Sequence, residues 1–377
     1  MRQGLLYRAR RALFSLGLLA AGCGGRSVDP LATSSSADAG AIAEDPPTIT
    51  HPPTPGTFSC LEYDVARDQI LYDPQKSPFQ ADLIDFAADL THVYLAANAI
   101  ADFQAGRVYD VHMIGLGPTE LFADVSPHVV SAIAEADDAL LLLHDSAKGP
   151  VVTRAEKGRD ARRVLDGSEG TKSIAASRDS RFYAYATKDA VYGPSGVLYR
   201  YAPETNVQGL STARSQAFLL AARDASHSRL LRAGTDGVSE VVTELGAARE
   251  GTFASNGSLL FVIEEGSPAR LLAFDTKGTR VAEAPLAPEL GTVRELAFDK
   301  AGVYVVGTRS GSSSREVVIS HLDLASSGAF SAPITVKSFT TSSASTARRL
   351  FAADSCNIYF LVEGKLHRQS ATTLPGR

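Results

Sequence analysis

The chain has 377 residues, of which 44% are hydrophobic and 21% charged, the balance of an ordinary folded protein. Its net charge of −5 leaves no general basic face for a phosphate backbone, which argues against a nucleic-acid binder while leaving room for a local basic patch. There is no tryptophan and there are three cysteines; the first count bears on fold family and the second on export and cross-linking.

Taken from its start, the chain opens with a targeting pattern. Arg2, Arg8, Arg10 and Arg11 form a basic region, followed by the apolar run Ala12–Ala21 (ALFSLGLLAA). That run is about half the length a permanent membrane-spanning helix needs, so residues 1–22 read as a signal peptide. It ends in Leu19-Ala20-Ala21-Gly22-Cys23. Small residues before a cysteine resemble the lipobox of bacterial lipoproteins, with the difference that Ala20 stands where leucine is more usual and Leu19 lies one place early. The resemblance implies cleavage before Cys23 and acylation of that cysteine, giving membrane attachment through several acyl chains. Gly24, where that family's inner-membrane retention signal carries an aspartate, implies the outer membrane of a cell envelope. An ordinary secretory peptide with an incidental cysteine is the alternative.

Residues 23–57 are Ser, Ala, Gly, Asp and Pro with almost no large apolar side chain, and end in DPPTITHPPTPG. Such a stretch buries too little surface to offset its ordering entropy and reads as a disordered tether, with His51 solvated within it. The folded domain is then 58–377. An exported chain matures under oxidising conditions, so Cys60 and Cys356 are expected to form a disulfide, two buried thiols being the alternative.

Within this domain a single unit recurs. RELAFDKAGVYVV (from Arg294) is an apolar run, a turn at Asp299–Gly302 and a second run rich in β-branched residues and tyrosine: a hairpin. Versions of it begin at Ile84, Ser173, Gly251 and Arg349. Taking the polar turn residue as marker, Asp89, Asp137, Asp179, Asp224, Asn256, Asp299 and Asp354 succeed one another at intervals of 32 to 55 residues. A third strand comes after most hairpins (RVYDVHMI from Arg107, PVVTRA from Pro150, KLHRQS from Lys365), and a weaker fourth closes several units, as ELFADV from Glu120 does. Four short strands at a spacing near forty residues predict an all-β fold, a β-propeller of about seven four-stranded blades. Tryptophan-marked and Gly-Gly-marked propeller families fit badly. The chain is similar to the loose class of bacterial seven-bladed propellers whose blades read apolar, Asp-turn, x-x-Tyr-Val, then Leu-x-x-x-Asp; Leu296–Val305 and Leu271–Asp275 carry the pattern. The last unit is one strand short, and Thr57–Asp64 (TFSCLEYD) has no unit of its own. The N-terminal strand is therefore expected to complete the last blade, which would bring Cys60 near Cys356.

In a propeller the first strand of each blade lines the central channel. Arg214, Arg249 and Arg294 each precede a phenylalanine by four residues, and Lys172 and Arg348 occupy similar places in two further units. Positions four apart share a strand face, so these cations are expected at the channel mouth, where they suit an anionic ligand; pairing with Glu250, Glu295 and carboxylates of the next blade is the alternative. No nucleophile elbow, phosphate loop, zinc helix or calcium loop is present. The histidines after His51 are scattered without ligand spacing, His92 and His112 being the one pair on adjacent predicted strands. No catalytic residue, metal or cofactor is indicated by these patterns. They predict a monomeric, lipid-anchored binding or scaffold module with an envelope protein or anionic glycan as partner; the alternative is an envelope hydrolase or lyase acting at the channel mouth.

Overall fold

The computed structural model describes residues 68–374 except 77–80, 90, 100–104, 113–119, 160, 178–179, 203–204, 234–238, 249–251, 311–313, 326–327 and 343–346. The expected signal peptide and tether, with Cys23, Cys60 and Arg249, lie outside the described residues. Seven antiparallel sheets of four strands each succeed one another in sequence, each ordered from its first strand inside to its fourth outside. Blades 1 to 6 span 81–124, 130–164, 173–200, 206–246, 254–285 and 292–342. Blade 7 joins 351–370 to the early strand Gln69–Tyr72. Neighbouring innermost strands pack together from blade 1 to blade 5 and from blade 6 through blade 7 back to blade 1, and blades 5 and 6 share a core, closing the ring of a seven-bladed β-propeller.

The apolar runs explain the ring. In a strand, alternate side chains face opposite ways, and a blade has a neighbour on both sides, so both faces must be apolar. In blade 6, Val303 and Val305 face blade 5 while Tyr304 and Val306 face blade 7. In blade 2, Leu140 and Leu142 pack on blade 1 and Leu141 and Leu143 on blade 3. All of these except Leu143 are 0% exposed, and a fully buried side chain of this size contributes roughly 1.5–3 kcal/mol.

The turn markers also have a local cause. Asp89 accepts from the amides of Thr91 and His92 at 2.7 Å each. Asn256, Asp299 and Asp354 repeat the arrangement with the amides two and three residues on. A short side-chain acceptor holding those amides folds the turn before any long-range contact forms.

Two expectations are corrected. The strand that completes blade 7 is Gln69–Tyr72, not Thr57–Asp64, which belongs to a stretch outside the described residues. The closing strand is short but well anchored: Asp68 meets His367 Nδ1 at 2.7 Å, Asp73 meets Lys365 Nζ at 3.3 Å, and buried Tyr72 donates to the Ala81 carbonyl at 2.6 Å. In blade 4, the turn between the first two strands is Arg214–Ser215, both residues at positive φ (46° and 59°), as in the tight turns that match strand twist. Asp224 instead lies between the second and third strands, where it accepts from the Ser226 amide.

Candidate functional site

The innermost strands surround a channel of about 1150 Å³. All of them run the same way, so the channel has two chemically distinct mouths. At the leading mouth, where these strands begin, stand Lys172 of blade 3, Arg294 of blade 6, and Arg348 and Arg349 of blade 7. At the turn mouth, where the first hairpins close, the lining includes Asp89, Glu135, Asp137, Asp299 and Asp354, with Lys157 and Lys300 among them.

Backbone irregularity places the groups at the leading mouth. In blade 1 the pairing of the first two strands shifts between Leu83 and Asp85, and in blade 6 between Val293 and Glu295. Such a bulge turns one extra side chain toward the next blade. Asp85 and Glu295 both stand just past the bulge and both use the same device. Glu295 accepts from the amides of Leu350 (2.7 Å) and Phe351 (3.2 Å) of blade 7. Asp85 accepts from Ile133 of blade 2 at 3.0 Å and pairs with Arg349 Nε of blade 7 at 3.2 Å. The Arg348 amide in turn donates to the Ile84 carbonyl at 2.7 Å, across the junction of blades 7 and 1. Burial pushes the Glu295 carboxyl up to about 7, against the lowering effect of the two amides and of Arg349.

The predicted cations therefore divide. Lys172, Arg294 and Arg348 line the leading mouth. Among the described residues none of the three has a carboxylate partner; Glu295 is turned to the backbone of blade 7 and Asp85 is taken by Arg349. Arg294 has one polar contact, Nε to Thr308 Oγ1 at 3.4 Å. Arg214 is not among them. It occupies the hairpin turn of blade 4, at the opposite end of its strand, because the unit to which it belongs starts earlier than the Asp224 marker implied. Phe218 nevertheless packs between blades 4 and 5, from the second strand of blade 4 rather than the first.

The turn mouth was not foreseen. Lys157 reaches Glu135 Oε1 at 2.7 Å and Asp89 Oδ2 at 3.7 Å, and lies 5.3 Å over the Tyr94 ring, tying blade 1 to blade 2. Burial opposes ionisation of Asp89, but hydrogen bonds from Glu135, Thr91 and His92 and the Lys157 charge hold it below the usual carboxylate range. His92, His144 and His321 serve their own blades. His92 and His112 are directly opposite on adjacent strands, and His92 stacks on Tyr94. Buried His144 is bonded through Nδ1 to the Asp145 carbonyl (2.7 Å) and through Nε2 to Thr153 Oγ1 (2.8 Å). His321 sits against Tyr304 with Asp299 at 3.6 Å. Cys356 is 2% exposed in the turn that opens the second strand of blade 7.

No protein-family model matches the chain, and no curated protein sequence matches it. Among solved structures it is similar to the WD40 domain of coronin from Toxoplasma gondii, at 11% identity and a TM-score of 0.51, over 76% of this chain and 82% of that one. It is likewise similar to the β-propeller domain of Cps50 (Swd1) from Myceliophteria thermophila, at 9% identity and a TM-score of 0.50, over 77% of this chain and 97% of that one. At such identities the likeness concerns architecture alone: what this chain shares with both proteins is the β-propeller fold.

Proposed function

We propose that the protein is a lipid-anchored binding or scaffold module of a bacterial outer membrane, held through acylated Cys23 and presenting the leading mouth of its propeller to an anionic partner. The observation that carries the binding role is the set of cations Lys172, Arg294 and Arg348, which line one concave opening and have no carboxylate partner among the described residues. Guanidinium groups at a channel rim offer forked donors to phosphate, carboxylate or sulfate. The channel carboxylates Asp89, Asp299, Asp354 and Glu295 are engaged as acceptors of backbone amides, which favours binding over the acid–base work of a hydrolase or lyase. The anchor rests on the sequence around Cys23 and on the low-complexity tether that follows it.

A disulfide between Cys60 and Cys356 belongs to the same reading. Gln69 pairs with Arg368 and Asn357 with Ser370, so the chain enters blade 7 at the end that carries Cys356. The nine steps from Cys60 to Gln69 reach up to about 30 Å, ample for the closure.

Detergent phase separation of the wild type and of Cys23→Ser tests the anchor: the variant is expected in the aqueous phase, and its continued partition with detergent would overturn the reading. Affinity capture from envelope extract by the wild type and by an Arg294→Glu/Arg348→Glu variant tests the face. Equal recovery of the same partner by both would remove the leading mouth from the proposal.

A further inference from the structure

The rim cations are not evenly spread, and their arrangement deepens the binding reading on which this inference rests. Glu295 of blade 6 grips the amides of Leu350 and Phe351 in blade 7, which sets two neighbouring strands running the same way at the same height. Arg294, one residue ahead of Glu295, and Arg348, two ahead of Leu350, thus line the rim at the junction of these two neighbouring blades. Arg348 is further fixed through its amide on Ile84 and by the adjacent Arg349, held on Asp85. Lys172 belongs to blade 3, half a ring of seven away from the junction of blades 6 and 7. Its own amide is pinned on the Ala186 carbonyl at 2.8 Å.

A single phosphate or carboxylate cannot touch both places. At about 1150 Å³ the channel is larger than most small-molecule sites, which span roughly 300–1,000 Å³. Nor does an anion gain by passing down the channel, because at the turn mouth the carboxylates Asp89, Glu135, Asp137, Asp299 and Asp354 outnumber the lysines Lys157 and Lys300. Like charge in a low-dielectric passage repels it. We infer that the leading mouth takes an extended polyanion lying across it, with one anionic group clamped between Arg294 and Arg348 and a second at Lys172. A phosphate-bearing chain and an acidic sugar chain share this chemistry.

The test is a length series. Binding of the full-length chain is measured by titration calorimetry with inorganic phosphate, with linear polyphosphates of increasing length, and with a matching series of oligogalacturonates. The variants are Lys172→Ala and Arg294→Ala/Arg348→Ala, each checked for an unchanged melting temperature. The wild type is expected to bind inorganic phosphate weakly and to gain about ten-fold or more in affinity once one ladder is long enough to span the mouth, as a second charge-assisted contact would give. The ladder that shows the step identifies the source of the anion. Lys172→Ala should bring the long members of the ladder down to the affinity of the short ones and so erase the step, whereas the double arginine variant should weaken every member, inorganic phosphate included, by about ten-fold. Phosphate binding with no step in either ladder, or a step that survives Lys172→Ala, overturns the two-point grip while leaving the cationic mouth standing. Absence of binding by any of these anions overturns both.

Discussion

Replacing Glu295 tests how the ring holds together. Its two carboxylate oxygens accept from Leu350 and Phe351, one blade on. In Glu295→Ala both amides lose this acceptor inside the junction, at about 1–3 kcal/mol each when no water replaces it. A loss on the order of 3 kcal/mol is expected. Glu295→Gln separates this contact from the charge, since it keeps one acceptor and cannot ionise. The folded protein holds the Glu295 proton up to about pH 7, against 4.5 for an ordinary glutamate. Between those values the unfolded chain has released its proton and the fold has not, so raising the pH favours unfolding. The span corresponds to on the order of 3 kcal/mol, present below pH 4.5 and lost by pH 7. Urea unfolding of wild type and Glu295→Gln from about pH 4 to 8 measures it, with the difference between the two curves isolating this group. Wild-type stability should fall relative to the variant across that window, and hydrogen exchange should quicken at Leu350 and Phe351 in Glu295→Ala. A difference curve flat across the whole range would refute the assignment of the raised carboxyl to Glu295.

Asp85→Ala should cost about 2–4 kcal/mol in denaturant unfolding, because it strands the Ile133 amide and leaves Arg349 without its partner; an effect below half a kcal/mol would mean solvent serves both groups. Leu141→Ala opens a cavity between blades 2 and 3, where the side chain is 0% exposed, and is expected to lower stability by about 3 kcal/mol in the same assay. For the closure, peptide mapping without reductant should recover Cys60 joined to Cys356. Reducing that bond should lower stability by up to about 6 kcal/mol, the chain-entropy limit for so long a loop, and free thiols at both positions would remove the claim.

Much of the architecture is legible in local chemistry. The Asx turns at Asp89, Asn256, Asp299 and Asp354 close within three residues and need nothing distant. The strands beyond them, such as Gly302–Val306 and Asn357–Val362, are apolar on both faces because every blade is covered on both sides. Blade 4 escapes the pattern, since its first hairpin is turned by Arg214–Ser215 with no acidic marker, and Asp224 takes the marker's place one turn later.

Read alone, the amino-acid sequence determines the repeating four-stranded unit, which is written in residues close together in the chain, and shows the last unit one strand short. Only the tertiary structure decides that Gln69–Tyr72 is the closing strand, that Arg214 leaves the rim while Arg294 and Arg348 line it, and that Glu295 binds backbone instead of arginine. Those outcomes hang on bulges and on the register between blades, where a shift of one residue turns a side chain to the other face.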